Sequence, residues 1–257
     1  MKDALFPGSF SMPYGSSTYG PPPYIYRGVQ EMIIAYEADA ERLQPLLPPG
    51  VQVAGEVAEC LGWTRWIPFS SFGPYHEAYT LIKVEFDGNR YLYNPFMVVD
   101  NEIPLAAGRE IWGYPKKIGR FFRSWGDNTS GYGEQLLCRV ERPKGHTLMS
   151  ASVVAAERAD PEELDAGYPI LSLRMFPDAE DVTRPCVAQL IALEVASSLH
   201  TGIDGHNELY RGPAQLKFEG SASDPWDLAA PTRIHAGYFG IFDFDLVPGR
   251  VIHDYLS

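Results

Sequence analysis

The segment Gly108-Arg109-Glu110-Ile111-Trp112-Gly113-Tyr114-Pro115-Lys116-Lys117 carries the most information in this chain. The whole chain contains only six lysines, and two of them are adjacent here, behind apolar and aromatic residues. A lysine in apolar surroundings loses the hydration of its ammonium form, so its pKa falls and the neutral, nucleophilic amine becomes populated. Lowering that pKa from about 10.4 to about 7 corresponds to roughly 4–5 kcal/mol of differential stabilisation. Such an amine can condense with a ketone or a 2-oxo acid, so the segment indicates a Schiff-base nucleophile.

Pro115 limits how the two lysines can cooperate. Its ring fixes its own φ angle and favours an extended conformation at Tyr114, so a helical turn can begin only at or after the proline. Adjacent side chains diverge by about 100° in a helix and point to opposite faces in a strand. We therefore expect Lys116 and Lys117 not to share one pocket. Desolvation, aided by the positive end of a helix N-terminus, is expected to lower the nucleophile's pKa more than the neighbouring ammonium does.

The composition of the whole chain disfavours several classes of protein. With 257 residues, 45% of them hydrophobic and 21% charged, the chain has the composition of an ordinary globular protein. Its formal net charge of −12 disfavours binding to nucleic acid or to an anionic membrane surface. The absence of a signal-peptide core and of an apolar run near ~18 residues predicts a cytoplasmic protein. Three widely spaced cysteines, Cys60, Cys138 and Cys186, do not suggest a disulfide framework and are interpreted as buried thiols.

Alternating apolar residues and turn signals predict a largely β-structure. The predicted elements are a strand at about Glu31–Tyr36, a short helix at Asp39–Leu47, a hairpin of Ala78–Phe86 with Tyr91–Val99, a second hairpin of Glu134–Glu141 with His146–Glu157, and strands at Thr232–Leu246 and Val251–Tyr255. Ala188–His200 fits a helix about as well as a strand, and the β-rich surroundings favour a strand.

The first residues differ in composition from the rest. Residues 6–23 are rich in Pro, Gly, Ser and Tyr, which predicts an extended arm or lid over residues 1–24. No linker divides the remaining sequence. We therefore predict one α+β domain over residues 1–257, built on a large, mostly antiparallel sheet with few helices.

Several further motifs are distinctive: Asp100-Asn101-Glu102, Ala107-Gly108-Arg109-Glu110 and Tyr114-Pro115-Lys116-Lys117, together with Tyr36–Asp39 and Val251–Leu256. These motifs resemble the signature of the acetoacetate decarboxylase-like superfamily. The resemblance covers nearly the whole chain. It implies a cone-like or closed antiparallel β-barrel with peripheral helices, assembled as a homo-oligomer of four or more subunits.

The same resemblance assigns roles to individual residues. It implies that Lys116 forms the Schiff base and that Lys117 is the second lysine of the pair. Gly73-Pro74-Tyr75-His76-Glu77 matches the family's Gly-x-Tyr-x-Glu pattern, which makes Glu77 the group that transfers protons. Tyr75 and Tyr114 could donate hydrogen bonds to a bound carbonyl. The alternatives are a surface turn for the two lysines, a solvated loop position for Glu77 and simple packing for the tyrosines.

One part of the family pattern is displaced in this chain. True decarboxylases of the family resemble one another in an arginine near the first strand and a second glutamate on the following strand. The aligned positions here are Val29 and a position near Leu61. Arg27 and Glu59 could replace them as substrate-binding residues if each segment slid by two residues, since such a slide preserves strand facing.

Without that slide, the pocket is expected to lack the charged groups that hold a β-keto carboxylate. The first choice of activity is therefore a pyruvate aldolase-dehydratase or hydratase on a small oxo acid. The alternatives are an acetoacetate-type decarboxylase and a barrel that binds a small carbonyl ligand without turnover. No cofactor is expected, because a protonated imine is itself an electron sink.

Two further sequence features bear on ligands. His200, Asp204 and His206 fall within seven residues, but the surrounding glycines indicate a turn and we predict no metal site. Trp63, Trp66, Phe72 and Trp112 suggest a pocket for a large or aromatic substrate, although most aromatic residues fill cores.

Overall fold

The computed structural model describes residues 9–124 and 135–257, in which strands predominate. The strands are β1 (Tyr24–Ala38), β2 (Gln52–Val53), β3 (Ala58–Ile67), β4 (Phe69–Ser70), β5 (Tyr75–Phe86), β6 (Asn89–Val99), β7 (Lys116–Ile118), β8 (Arg120–Arg123), β9 (Gln135–Glu141), β10 (Thr147–Val154), β11 (Glu157–Arg158), β12 (Ile170–Pro177), β13 (Pro185–Leu193), β14 (Ser197–Leu199), β15 (Leu209–Gly212), β16 (Ala214–Phe218), β17 (Pro231–Leu246) and β18 (Arg250–Asp254). The helices are α1 (Ala40–Leu43) and α2 (Glu102–Ala107), with a π-helical turn at Gly108–Trp112 and 3-10 turns at Gln44–Leu46, Pro161–Leu164 and Trp226–Ala229.

The strands form two sheets. The larger has 14 strands, with the path β11-β15-β17-β1-β3-β5-β6-β12-β13-β18 and with β2, β4, β7 and β14 attached beside it. The smaller has four strands in the order β16-β10-β9-β8. Most pairs are antiparallel, but β6 pairs in parallel with both β7 and β12. The prediction of a large, mostly antiparallel sheet with few helices is confirmed.

The expected closure of that sheet into a barrel is wrong. Across residues 9–124 and 135–257, its path of neighbours begins at β11 and ends at β18, and these two strands do not pair with each other. β11 has only two residues and pairs with β15, while β18 pairs with β13. The architecture is therefore an open mixed sheet accompanied by a smaller second sheet.

The predicted hairpins and late strands are confirmed. β5 and β6 pair as a hairpin around Asp87 and Gly88, and β9 and β10 pair as a second hairpin, although Glu134 lies outside the described residues. The ambiguous Ala188–His200 segment supplies residues to β13 and β14, as expected for a strand. The helix predicted at Asp39–Leu47 is shorter in the structure. Only α1 is α-helical, with the Asp39 side chain as its N-cap, and a 3-10 turn that contains a proline follows at Gln44–Leu46.

The described part of the predicted arm packs near the lysine segment. Residues 9–23 form bends and turns, and residues 1–8 lie outside the described residues. Tyr19 is buried, packs edge-on against Phe10 and donates a hydrogen bond from its hydroxyl to the Glu110 carboxylate. The arm thus contacts the turn that precedes Lys116.

The large sheet separates two apolar clusters. One contains Met32, Ile34 and Tyr36, and the other contains Ile33 and Leu61 from the opposite face of the same strands. This alternation follows from the two-residue period of a strand. Within the described residues, no helix is long and apolar enough to cross a membrane.

Candidate active site

Three charged residues form a row across three neighbouring strands. Glu31 on β1 is the register partner of Arg65 on β3, and Arg65 is the register partner of Glu77 on β5. Arg65 Nε lies 2.7 Å from Glu31 Oε1, and Arg65 Nη1 donates to Glu77 Oε1 at 3.2 Å. Both glutamates are buried, and the Trp63 indole donates to Glu31 Oε2 at 2.9 Å. Directly opposed side chains of neighbouring strands lie close together, so the register alone assembles this row.

Lys116 extends the row from β7, a short strand attached to β6 in the same sheet. β7 pairs in parallel with β6, with Lys116 in register with Met97. The Lys116 Nζ donates to Glu77 Oε2 at 3.2 Å, and the residue is only 5% exposed. Of the two geometries left open after Pro115, the structure has the strand, which begins at Lys116. The helical turn precedes the proline at Gly108–Trp112, so the expected contribution of a helix N-terminus at Lys116 is wrong.

Gly108 makes room for the lysine side chain. A Cβ atom at this position would lie 2.7 Å from Lys116 Cδ and 2.8 Å from Lys116 Cε. Real Cβ contacts are longer than this, so any other residue would displace the amine or the turn. The Gly-Arg-Glu part of the segment thus has a steric role that the sequence did not reveal.

Burial is the main influence on the pKa of Lys116. Desolvation lowers that pKa, the charge and hydrogen bond of Glu77 raise it, and the Arg65 cation lowers it again, with a net lowering. Lys117 is not among the causes. The expectation that desolvation outweighs the neighbouring lysine is therefore met, and Arg65 is a second cation near the amine.

The two glutamates of the row differ in their electrostatics. Burial raises the pKa of Glu77, but the charges of Lys116 and Arg65 and their hydrogen bonds outweigh it, so the pKa is lowered. Burial also raises the pKa of Glu31, and the opposing effects of Arg65 and Trp63 do not cancel it. Glu77 is thus the more acidic carboxyl, and it is the one that contacts the lysine.

Aromatic rings enclose the amine. The Lys116 Nζ lies 5.6 Å from the ring centroid of Tyr75 and 5.8 Å from that of Tyr114, and both tyrosines are buried. The hydroxyl of Tyr75 lies 3.0 Å from that of Tyr26. Burial raises the pKa of both Tyr75 and Tyr114, so each phenol remains a protonated donor. The structure therefore brings Lys116, Glu77, Tyr75 and Tyr114 together.

Lys117 lies on the other side of β7. Its side chain is 40% exposed, and its Nζ donates to Asp224 Oδ1 at 2.7 Å and to the Ser223 carbonyl. Arg142 approaches the same buried Asp224 carboxylate at 3.2 Å. Lys117 is thus part of a separate ion-pair cluster, as expected from the opposite facing of adjacent strand residues.

Arg27 does not reach the row of charges. Its guanidinium pairs with Asp245 at 2.8 Å on the exposed side of the sheet. The pairing of β1 with β17 shifts register between Tyr26 and Val29, and Gly28 lies in this irregularity with a φ of +65°. Tyr26 before the shift and Val29 after it both belong to the same apolar cluster, so the two-residue alternation is broken there. The assumption that a two-residue slide preserves facing fails at this bulge.

Glu59 does not reach the row either. It pairs with Lys83 at 2.6 Å and is largely exposed. It lies six residues before Arg65 on β3, about 20 Å away along the strand at 3.3 Å per residue. The proposed substrate-binding roles of Arg27 and Glu59 are therefore not supported by the structure.

Sequence reasoning missed Arg65 and Glu31. The resemblance placed an arginine on the first strand and a glutamate on the next, whereas this chain has the glutamate on β1 and the arginine on β3. The available signal was a lone arginine inside the apolar stretch Gly62–Ile67 and a lone acid at the head of the apolar run Met32–Ile34. Burial of a charge is unfavourable unless it is paired, so two such residues on neighbouring strands suggest each other as partners.

The other predicted polar sites lie elsewhere. His200 contacts Asp243 at 2.8 Å, and Asp204 pairs with Arg158 instead of with the histidines. Among the described residues, no three His, Cys, Asp or Glu side chains form a cluster suited to a metal. Cys60 and Cys138 are buried, but Cys186 is exposed, so the interpretation of all three as buried thiols is wrong for Cys186.

Two neighbouring spaces, the smaller of which is lined by Lys116, share part of their lining. The inner chamber, with a volume of about 20 Å³, is bounded by Lys116, Glu77 and the residues around them. The outer cavity, with a volume of about 840 Å³, begins at Glu31 and Trp63 and extends to the segments around residues 161–170 and 194–199. Arg65 lines both spaces.

Two buried polar atoms in the inner chamber have no protein partner. Neither the Tyr79 hydroxyl nor the Asn94 carboxamide oxygen has a hydrogen-bond partner in the described parts of the chain. Asn94 lies where the pairing of β5 with β6 shifts register, between the pairs of Thr80 and Ile82. Leaving such a group unsatisfied costs about 1–3 kcal/mol, so these atoms are available to a ligand.

Comparison with known proteins identifies the family of this chain. The family model described as Acetoacetate decarboxylase (ADC) matches residues 10–256. Acetoacetate decarboxylase 1 of Mesorhizobium japonicum is 28% identical over 100% of this chain and 98% of its own length, and the acetoacetate decarboxylase of Chromobacterium violaceum is 27% identical over 96% of each chain. The crystal structure of acetoacetate decarboxylase from Legionella pneumophila superposes with a TM-score of 0.82 at 26% identity, covering 96% of this chain and 95% of that one. The chain belongs to the acetoacetate decarboxylase family.

Proposed function

We propose that this protein is an imine-forming lyase that decarboxylates a 3-oxo acid, with Lys116 as its nucleophile. The observation that carries the proposal is the buried chain of contacts from Lys116 through Glu77 and Arg65 to Glu31. It combines an amine of lowered pKa, a carboxylate within hydrogen-bond distance and a second cation in one enclosed place.

The first stage forms the imine. The neutral Lys116 Nζ adds to the carbonyl carbon of the substrate, and Glu77 transfers a proton from the nitrogen to the developing alkoxide. Glu77 then takes up a proton from solvent and delivers it to the hydroxyl, which leaves as water and generates a protonated carbon–nitrogen double bond. Glu77 is suited to these transfers because it lies 3.2 Å from the amine and its lowered pKa leaves it ionised to accept the proton of the attacking nitrogen.

The second stage releases carbon dioxide. The bond between the carboxylate and the α-carbon breaks, and its electron pair forms an enamine as the iminium electrons move to nitrogen. Addition of a proton to the α-carbon restores the iminium, and water then hydrolyses it to a ketone and the free amine. Arg65 can orient the departing carboxylate, because it lines the inner chamber and its guanidinium has five donors in a fixed plane.

Decarboxylation takes precedence over the aldol reaction favoured by the sequence alone. That preference depended on the expected absence of an arginine and a second glutamate near the lysine. Arg65 and Glu31 supply both groups, but the arginine lies on β3 and the glutamate on β1, which reverses the family pattern. The similarity over the whole chain to acetoacetate decarboxylases supports the same choice.

A second candidate is aldol condensation of pyruvate with an aldehyde, followed by dehydration, or the related hydratase reaction. The observation that favours it is the outer cavity, whose volume of about 840 Å³ could receive a second carbonyl compound. The same Lys116 imine would start this reaction, since deprotonation of the pyruvate imine gives a nucleophilic enamine.

One pair of assays tests the proposal. Acetoacetate should release carbon dioxide, and acetoacetate plus borohydride should leave a reduced adduct on the peptide that contains Lys116. The Glu59→Gln variant is the matched control, because Glu59 lies on β3 away from the site. An adduct with pyruvate and new ultraviolet absorbance with an aldehyde, without carbon dioxide release, would favour the second candidate. Neither adduct nor turnover would favour a ligand-binding protein without activity.

A further inference from the structure

We infer that the preferred substrate is a 3-oxo acid larger than acetoacetate, whose uncharged apolar or aromatic substituent occupies the outer cavity. The inference rests on the proposed function, since it places the reacting carbonyl beside Lys116 in the inner chamber. It follows from the size of the two spaces, from the residues that line both of them and from the lining of the outer one.

The two spaces lie on either side of a shared set of side chains. Arg65, Tyr79, Ile170 and Val195 line both of them. Arg65 is held there by Glu31 and Glu77, and its guanidinium carbon lies 4.7 Å from the Phe244 ring centroid. A substituent that extends from the Lys116 amine past these four side chains would reach the outer cavity.

The sizes of the spaces differ greatly. The inner chamber, at about 20 Å³, is close to the space that one water molecule needs. The outer cavity, at about 840 Å³, falls within the range of about 300–1,000 Å³ found for sites that hold drug-sized ligands. Acetoacetate has only one methyl group beyond its reacting carbonyl, so it would leave the outer cavity without a ligand group.

The lining of the outer cavity favours an uncharged occupant. Its apolar wall includes the buried Leu81, Leu92 and Leu209, together with Trp63 and Phe242. Such walls bind hydrocarbon or aromatic groups because binding buries apolar surface of both the ligand and the wall away from water.

The charged groups of the outer cavity do not offer an anion a partner. Arg65 is paired with Glu31 at 2.7 Å and, in the proposed reaction, faces the carboxylate that departs, so it is already engaged. Among the described residues of the lining, the remaining charged side chain is the exposed Glu194. A second carboxylate at the end of the tail would therefore meet a like charge, whereas an alkyl or aryl tail would not.

The test compares substrates that differ only in the tail. We expect kcat/KM to rise about fourfold for each methylene added from acetoacetate through 3-oxohexanoate to 3-oxooctanoate, because each methylene is transferred from water to an apolar wall. The dianion 3-oxoadipate should be no better than acetoacetate. As a readout independent of carbon dioxide release, borohydride trapping of Lys116 should be faster with 2-octanone than with acetone.

A substitution in the cavity wall gives a second, matched test. Ala166 lines the outer cavity and Ala179 is an exposed alanine outside its lining. Ala166→Phe should lower the ratio of kcat/KM for 3-oxooctanoate to that for acetoacetate by tenfold or more, whereas Ala179→Phe should leave this ratio unchanged.

The outcomes separate this inference from the function on which it rests. If acetoacetate is decarboxylated and the longer substrates and ketones react no better, the inference is wrong and the proposed function stands. A preference for 3-oxoadipate would overturn it in the same way. If no oxo acid loses carbon dioxide and no ketone is trapped on Lys116, the proposed function fails and the inference fails with it.

Discussion

Glu31 on β1 and Arg65 on β3 face each other as a register pair, with Arg65 Nε 2.7 Å from Glu31 Oε1. Arg65 also contacts Glu77, which in turn contacts Lys116. Removing one partner of a buried ion pair leaves an uncompensated charge and costs about 3–5 kcal/mol. Each charge of the row therefore sets the electrostatic environment of the next, and single substitutions should report on their neighbours.

The two adjacent lysines should respond differently to replacement by arginine. Lys116→Arg keeps a cation beside Glu77 but cannot form an imine, so turnover and the borohydride adduct should disappear while the protein stays folded. Lys117→Arg should keep both, because an arginine can still pair with Asp224 on the far side of β7. Mass spectrometry of the trapped peptide is the measurement, and an adduct on Lys117 or Lys83 would refute the assignment.

Glu77→Gln should slow turnover by about two to four orders of magnitude, as expected for loss of a general acid–base group. Imine trapping should persist at a reduced rate, since the amine remains but the proton transfers of imine formation lose Glu77. Steady-state rates and trapping yields are the two measurements. Glu59→Gln provides the comparison, because its exposed pair with Lys83 is worth at most about 1 kcal/mol. Full activity of Glu77→Gln would remove Glu77 from the mechanism.

Arg65→Gln should move the acid limb of the pH–rate profile to higher pH. The Arg65 cation lowers the pKa of Lys116, so its removal raises that pKa, and a higher pH is then needed to populate the neutral amine. The measurement is the rate of adduct formation as a function of pH. Arg27→Gln is the control, because Arg27 pairs with Asp245 outside the site. An acid limb that stays in place or moves to lower pH would contradict the role of Arg65.

Gly108→Ala should lower imine formation by about 100-fold, which is the typical cost of displacing a reacting group by about 1 Å. The new methyl group would lie 2.7 Å from Lys116 Cδ and must push the side chain aside. Gly20→Ala is the matched control, since nothing lies within 4 Å of the corresponding position. Thermal unfolding of both variants establishes whether the fold is intact, and an unchanged trapping rate in folded Gly108→Ala would disprove the steric argument.

Local sequence patterns predicted the strands and the apolar surroundings of Lys116. The hairpin of β5 with β6 follows from alternating residues around Asp87-Gly88, and the burial of Lys116 follows from its apolar neighbours. The placement of Lys117 on the opposite face follows from strand geometry alone.

Features that depend on pairing between distant strands were not predictable in the same way. The bulge at Gly28 reverses the facing of β1, so the position of Arg27 could not be derived from a regular period of two. The Glu31–Arg65 pair requires the register of β1 against β3, which no local pattern specifies. Barrel closure likewise depends on whether the two terminal strands meet, and β11 and β18 do not.

The ion pair between Lys117 and Asp224 lies apart from the row of charges, which predicts how the residues at these positions should vary among natural relatives. Position 117 supplies a positive charge beside a buried acid, so we expect relatives to accept arginine there, or to lose the charge together with that acid. Under the proposed mechanism, position 116 requires a primary amine and position 108 requires the absence of a side chain. A relative with Gly-x-x-x-x-x-Tyr-Pro-Lys followed by a different residue is therefore expected to keep the proposed chemistry, which would make the second lysine a poor criterion for recognising it.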